Sequence, residues 1–241
     1  MFRLTWIGQG GFLLESEAGA LAIDPYLSDL VEISDGLKRL VPPARPMESF
    51  APDFIFLTHE HIDHLDTIYV DRMPRGRTTF LCSEASRRIL LTHGIEEKAI
   101  RVLSAGDEIK AAGFVIRAVF AEHTEGSLGA VIEKDGLSVY FTGDTVWSER
   151  LADGIRADVI NTCINGRWGN MDHVDAARVA KKTGAKLAIP NHYGMFRENT
   201  ADPEDFRKAL AGSGIAYYEM SYNAPFDLPA VYQRLTGEAE G

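Results

Sequence analysis

The feature that most constrains this 241-residue chain is a dense group of histidines directly after a short apolar run. Phe54–Leu57 is typical of a strand buried on both faces, and it leads into Thr-His-Glu-His-Ile-Asp-His at residues 58–64. Four side chains that can ligate a metal fall within six residues: His59, His61, Asp63 and His64. One ion with an open coordination position needs fewer ligands in ordinary geometry, so the pattern favours two metal ions sharing a pocket.

Three more candidate ligands follow other β-rich runs of the sequence. They are His123 after Phe114–Phe120, Asp144 after Ser138–Phe141, and His192 after Leu187–Ile189. A polar residue just past a strand is a usual place for a functional group, although each one taken alone could equally be structural. Together with the first group they make a set of seven.

Composition and charge exclude several classes of protein. Lys and Arg number 25 against 35 Asp and Glu, a net charge of −10, which opposes general binding to nucleic acid or to an anionic membrane. The two cysteines, Cys82 and Cys163, are too few for a disulfide scaffold or a Cys-rich zinc module, and we expect both to be buried apolar residues. No apolar run reaches about 18 residues and the first residues lack a signal-peptide pattern, so we expect a cytoplasmic protein. A homo-oligomer is compatible with the sequence, because cytoplasmic homo-oligomers are common.

The pattern of apolar runs and turns predicts one domain of strands and helices over residues 1–241. The strands are predicted at Phe2–Ile7, Phe12–Glu15, Ala20–Ile23, Phe54–Leu57, Phe114–Phe120, Ala130–Glu133, Ser138–Phe141, Val159–Thr162 and Leu187–Ile189. Asp135-Gly136 predicts a two-residue hairpin between two of them.

Capping residues predict three helices. The first runs from a Ser83 cap to Leu91, the second from an Asp172 cap to Gly184, and the final one starts at Asp202-Pro203. Residues 28–52 are proline-rich and predict a long surface loop or flap with one short helix near 34–40, and residues 229–241 predict a fraying tail.

The set of seven resembles the metal site of the metallo-β-lactamase superfamily. The matching motifs are residues 58–64, then His123, then Thr-Gly-Asp144-Thr, then Pro-Asn-His192-Tyr, in an order and spacing that extend over residues 4–194. The resemblance implies an α+β fold, an αββα sandwich with two mixed sheets flanked by helices. It also implies one ion held by His59, His61 and His123, a second held by Asp63, His64 and His192, and Asp144 bridging the two.

Within the superfamily, the chain most resembles the L-ascorbate-6-phosphate lactonase group. The matching segments are Ile7–Phe12, Leu40–Pro43, Leu65-Asp66, Asn165–Arg167, Asn170-Met171 and Ile189–Tyr193, within residues 1–225. This implies a hydrolase that opens a small anionic, phosphorylated sugar lactone. The alternative in the same class is a phosphodiesterase acting on small cyclic or diester phosphates. The alternative in another class is a di-iron redox or sensing protein, although flavo-diiron proteins have Glu where this chain has His61.

The mechanism that this resemblance implies uses a metal-bridging hydroxide as the nucleophile. Two divalent ions, Asp63, Asp144 and one hydroxide sum to +1, a charge that lowers the pKa of bound water and attracts a small anionic substrate. Asp63 is the candidate catalytic residue, expected to steer the hydroxide and to move its proton. The mixture of imidazole and carboxylate suits Zn or Mn, and Fe is possible.

Arg167 and Trp168 lie in a glycine-rich loop at residues 165–170, after a predicted strand. An arginine offers a planar donor fork, so Arg167 is a candidate clamp for a phosphate or carboxylate; the alternative is a surface arginine on a mobile loop. Trp168 is predicted either to form a wall of the pocket or to pack on the core.

Four other residues are candidates near the site. His173 opens a helix whose free N–H groups favour an anion, or it is a first-turn residue without a role. Tyr193 is a candidate substrate or oxyanion contact, with packing as the alternative, and Arg197 is a candidate substrate contact. Asp24 follows a predicted strand and is expected to orient a ligand histidine, the alternative being a turn residue. His93, at a helix end, is expected to be structural.

Overall fold

The apolar runs form two mixed sheets of seven strands each in the computed structural model, which describes residues 1–237. The first sheet contains β1 (Arg3–Gly8), β2 (Gly11–Ser16), β3 (Gly19–Ile23), β4 (Phe54–Phe56), β5 (Thr79–Cys82), β6 (Ile100–Val102) and β14 (Phe226–Asp227). The second contains β7 (Glu108–Ala111), β8 (Phe114–Phe120), β9 (Leu128–Lys134), β10 (Leu137–Phe141), β11 (Val159–Cys163), β12 (Leu187–Asn191) and β13 (Ala216–Tyr217). The helices are α1 (Leu30–Asp35), α2 (Thr67–Arg72), α3 (Glu84–Thr92), α4 (His173–Thr183), α5 (Pro203–Ala209) and α6 (Leu228–Thr236).

The two sheets repeat one arrangement of strands. In the first sheet β1, β2 and β3 are antiparallel, and β3 to β6 are parallel. In the second sheet β7 to β10 are antiparallel, and β10 to β13 are parallel. Consequently β1, β3 and β4 run in one direction in their sheet, and β8, β10 and β12 run in one direction in theirs. The loops that follow these strands carry the predicted ligands.

Alternation of side chains along the strands divides the core into two layers. Phe12 packs on Phe141 of the second sheet with ring centroids 5.1 Å apart, in the layer between the sheets. Ile55 points to the opposite face of the first sheet, where it joins Tyr69 of α2 and Leu90 of α3. Each fully buried side chain of this size contributes about 1.5–3 kcal/mol. The result is the metallo-β-lactamase fold, with helices outside two stacked sheets.

Helix boundaries follow the predicted caps. Ser83 caps α3 by accepting a hydrogen bond from the Ser86 backbone N–H. Asp172 caps α4, and Gly184 ends it at a φ of 76°, a left-handed conformation that favours glycine. The hairpin between β9 and β10 turns at Asp135-Gly136, where both residues have positive φ. These local patterns were readable because each depends on residues adjacent in the chain.

The flap region, residues 28–52, differs from its prediction. Its helix covers Leu30–Asp35 rather than residues 34–40, because Gly36 takes a left-handed φ of 74° and ends it. The rest of the segment has an irregular backbone that is held to the fold by hydrogen bonds. Arg39 donates to the Ser28 carbonyl at 2.7 Å, and the Leu40 N–H donates to the Met195 carbonyl at 2.8 Å.

The C-terminal segment also differs from its prediction, because α6 occupies Leu228–Thr236 within the expected tail, and α5 is therefore not the final helix. Asp227 caps α6, and Leu228, Val231 and Tyr232 bury one face of it in the core. Residues 238–241 of that predicted tail lie outside the described residues. No helix in residues 1–237 is both long and apolar enough to span a membrane.

Candidate metal centre

The histidine-rich segment forms a turn at the carboxyl end of β4. The His61 carbonyl accepts a hydrogen bond from the His64 N–H at 2.9 Å, which folds the segment back on itself. His59 and His64 are fully buried, His61 is exposed, and 17% of the Asp63 side chain is accessible. Four potential ligands therefore reach one volume from a single turn.

Asp24 fixes the orientation of two of these imidazoles. Its carboxylate accepts from His64 Nδ1 at 2.8 Å and from the hydroxyl of Thr58 at 2.5 Å. Because the Thr58 hydroxyl donates to Asp24, its oxygen accepts from His59 Nδ1, 3.0 Å away. Both rings therefore carry their proton on Nδ1 and present Nε2 to the centre, which is the arrangement that a metal-ligating histidine needs.

The second sheet supplies three more donors from the loops after β8, β10 and β12. His123 donates from Nδ1 to the Gly169 carbonyl at 3.0 Å, which leaves its Nε2 without a proton and able to bind a metal. Asp144 follows Gly143, where a side chain would lie 2.9 Å from the Leu128 carbonyl oxygen, so the tight turn requires glycine. His192 adopts a positive φ of 61° immediately after β12.

The donor atoms of all seven predicted ligands lie together, and we refer to them as the donor cluster. Three groups have donor atoms within 4.8 Å of one another: His59, His61 and His123; His59, His64 and Asp144; Asp63, His64 and His192. His61 Nδ1 lies 3.1 Å from His123 Nε2, and Asp144 Oδ2 lies 3.1 Å from His192 Nε2. The structure therefore brings together all seven residues that the sequence singled out.

Burial and charge in the donor cluster fit a metal. The buried Nε2 atoms of His59 and His64 have no hydrogen-bond partner within residues 1–237, and such unsatisfied atoms are rare unless a ligand uses them. Burial lowers the pKa of His59 well below 6.5, which keeps that ring neutral. Burial opposes the charged form of His64, but the carboxylates of Asp144, Asp63 and Asp24 outweigh it and raise its pKa well above 6.5. A divalent cation would interact with the same carboxylates and displace that proton.

Two amide side chains of the centre were not among the predicted site residues. Gln9, in the turn between β1 and β2, donates to Asp63 Oδ2 at 2.8 Å and lies 3.2 Å from His192 Nε2. Asn170 donates to Asp144 Oδ2 at 2.7 Å. Both are buried. Their sequence signal was the position of each beside glycines in a loop, which does not reveal the carboxylate that it contacts.

The predicted substrate residues take different positions. Trp168 is 61% exposed and lines a pocket together with His61 and Asp63 of the donor cluster. Arg167 is exposed and donates to the Glu198 carbonyl at 3.2 Å. Arg197 is also exposed.

Two other candidates are held by the fold. Tyr193 is buried and its ring lies 4.8 Å from that of Trp6, so the structure places it in the core. The N–H groups at the start of α4, beside His173, are taken by the Asp172 carboxylate, at 2.9 Å and 3.0 Å. His93 pairs with Asp71 of α2 at 2.9 Å.

Comparisons with known proteins agree with this geometry. Residues 21–193 match the model of the beta-lactamase superfamily domain. A UPF0173 metal-dependent hydrolase of Archaeoglobus fulgidus is 30% identical over 229 residues, which are 88% of this chain and 92% of that protein. A second, from Anaeromyxobacter sp., is 28% identical and covers 87% of this chain and 81% of its own length. The structure of Igni18, a metallo hydrolase of Ignicoccus hospitalis, superposes with a TM-score of 0.71 at 23% identity, over 94% of this chain and 99% of that one.

Proposed function

Because the chain belongs to the UPF0173 metal-dependent hydrolases of the beta-lactamase superfamily, we propose that it opens a small lactone with two divalent ions bound at the donor cluster. The observation that carries this proposal is the convergence of seven His and Asp side chains, two of them with buried and unsatisfied Nε2 atoms. Zn or Mn suits these ligands, with Fe as a further possibility.

The donor cluster divides into two sets of ligands. His59, His61 and His123 form the set for one ion, and Asp63, His64 and His192 form the set for the second. Asp144 lies 3.4 Å from His64 Nε2 and groups with His59 as well, which supports a carboxylate that would serve both ions. Three protein ligands and a shared carboxylate leave room for water and substrate, as a catalytic site requires.

Bound ions would supply Lewis-acid polarisation of the lactone carbonyl and a hydroxide nucleophile at neutral pH. Asp63 is the partly accessible carboxylate of the cluster, so its free oxygen can orient water and accept a proton. Gln9 donates to its other oxygen, which fixes the orientation of the carboxylate. Asn170 fixes the orientation of the Asp144 carboxylate in the same way, by donating to its Oδ2.

The substrate is expected to enter through the pocket that Trp168 lines, which has a volume of about 320 Å³. That volume suits a small molecule. The sequence predicts a phosphorylated or otherwise anionic sugar lactone. The anionic group of such a lactone would need the metal ions to balance its charge, because none of the described lining residues is Lys or Arg.

The test is a paired assay on one preparation whose metal content is quantified. The protein is loaded with Zn or Mn, and acid release from a panel of sugar lactones is compared with cleavage of a chromogenic phosphodiester. Asp144→Ala removes the shared carboxylate and should lose metal and activity together; Asp205→Ala, a partly exposed carboxylate on α5, is the matched control.

Each outcome of that assay separates the candidate functions. Dominant lactone opening that disappears in Asp144→Ala supports the proposal. Dominant diester cleavage would replace the lactone with a phosphodiester at the same ions. Iron occupancy with oxygen consumption and no hydrolysis would favour the di-iron alternative.

A further inference from the structure

The pocket beside the donor cluster, which we call the side pocket, has walls from four separate parts of the chain. It is lined by Val31, Asp35, Leu37, Glu60, His61, Ile62, Asp63, Trp168, Phe196 and Asn199. A larger cavity of about 620 Å³ lies by the amino end of β5 and contains none of the seven donors. The side pocket is therefore a cavity in which a substrate can touch both the donor cluster and a recognition surface.

The charges of the side pocket are negative. Among its described lining residues the carboxylates are Asp35, Glu60 and Asp63, and none is Lys or Arg. Glu60 accepts from the Thr124 hydroxyl at 3.0 Å, which holds the carboxylate in place. Arg167, the sequence candidate for an anion clamp, is turned to the Glu198 carbonyl instead. A phosphate or carboxylate placed here would meet like charges and no cation from the protein.

The remaining surface of the side pocket is largely apolar. Val31 and Phe196 are buried and pack together with Tyr26, which makes one wall firm, and the half-buried Leu37 and Ile62 pack against them. Trp168 also lines the side pocket. It is an exposed aromatic residue at a positive φ of 52°, between Gly166 and Gly169, which have positive φ as well. A bulky residue rarely adopts that conformation, and a strained exposed aromatic next to a site is typical of ligand contact.

We propose that the side pocket holds an uncharged alkyl or aryl substituent, so that the preferred substrates are neutral lactones with an apolar side chain. This inference rests on the proposed function. It replaces the anionic sugar lactone that the sequence predicts with neutral lactones that carry an apolar substituent. Leu37, Ile62, Phe196 and Trp168 determine specificity, and Asp35 and Glu60 disfavour anions.

The test compares neutral γ-lactones of increasing alkyl length with a matched lactone whose chain ends in a carboxylate. With metal-loaded protein, kcat/KM should rise about fourfold for each methylene that enters the side pocket and then level off. The carboxylated lactone should be the poorest substrate. A flat series, or a preference for the carboxylated lactone, would overturn the inference while leaving lactone hydrolysis intact.

Variants distinguish the loss of a contact with the substrate from a general loss of activity. Trp168→Ala should reduce kcat/KM for the longest neutral lactone about tenfold more than for the unsubstituted lactone. Val174→Ala removes another exposed apolar side chain, on α4, and should change neither. Asp35→Lys should improve the carboxylated lactone about two- to fivefold, unlike Glu108→Lys on the outer strand β7.

A binding measurement keeps the inference testable if no lactone is opened. Neutral γ-lactams of the same alkyl series are titrated calorimetrically into metal-loaded protein. Affinity that increases with chain length and falls in Trp168→Ala would support the apolar side pocket although the proposed reaction had failed. Affinity independent of chain length would refute the side-pocket inference as well.

Discussion

Replacing Asp24 with Asn tests how the fold prepares two histidines for metal. Asn can adopt the positive φ of 41° found at this position, and its oxygen can still accept from the Thr58 N–H. Its amide group, however, would face the donors His64 Nδ1 and the Thr58 hydroxyl, which now share one carboxylate oxygen. The substitution therefore removes two charge-assisted hydrogen bonds and leaves the backbone intact.

The magnitude follows from what these bonds support. Loss of one such partner of a metal-ligating histidine typically weakens metal binding by about 10- to 100-fold, or roughly 1.4–2.7 kcal/mol. Asp24 orients His64 directly and His59 through Thr58, and the proposed assignment gives these two histidines to different ions. We therefore expect both binding steps to weaken, and not only one.

The assay is competition for Zn with a chromophoric chelator at neutral pH, with circular dichroism and thermal unfolding of the metal-free protein as the check on folding. Asp53→Asn is the control, because Asp53 joins the same two strands at their opposite end, where it accepts from the Ala20 N–H at 2.9 Å. Unchanged affinity in a folded Asp24→Asn protein would refute the reasoning. Loss at one step alone would show that Thr58 does not transmit the orientation.

Three further changes have defined outcomes. Asp63→Asn should fold, since Asp63 is partly accessible, but at saturating metal it should lower kcat by about 10²–10⁴, as for loss of a general base, measured by steady-state kinetics. Gly10→Ala would place a methyl 2.7 Å from Cε1 of His64, so metal affinity should fall in the same chelator competition. Burial raises the pKa of Cys82 and of Cys163 to about 12, so thiolate is scarce at neutral pH and Ellman's reagent should react slowly until denaturant is added.

Each of these three has a contradictory result. Full turnover by Asp63→Asn would remove the proton-handling role from that carboxylate. Unaltered metal affinity in Gly10→Ala would show that the turn before β2 yields without moving the imidazole. Rapid modification of either thiol in the folded protein would mean that β5 or β11 opens readily.

The donor cluster was readable from the sequence because its members follow strands that the sequence also predicts. The run at 58–64 concentrates four donors, and Asp144 follows a hairpin signalled by Asp135-Gly136. Gln9 was not predicted as a site residue, because its contact with Asp63 joins residues 54 positions apart in the chain. Nothing local to Gln9 specifies that partner.

The missed elements have different physical causes. Strands β13 and β14 contain two residues each and exist only because a neighbouring strand pairs with them. The helix α6 did carry a signal, the Asp227 cap followed by apolar residues on one face, but its position near the chain end favoured the interpretation as a tail. In the flap region the left-handed Gly36, not a proline, set the end of the helix.

Every group of three donors combines the turn after β4 with a loop of the other sheet. An ion bound to such a group would cross-link the two halves of the sandwich. It would join His59 and His61 to His123, or His64 to His192. Because neither half contains a complete group, loading with metal should suppress any separation of the sheets at that edge. The same geometry makes high-affinity binding a property of the assembled fold, so that metal uptake reports whether the two halves have docked.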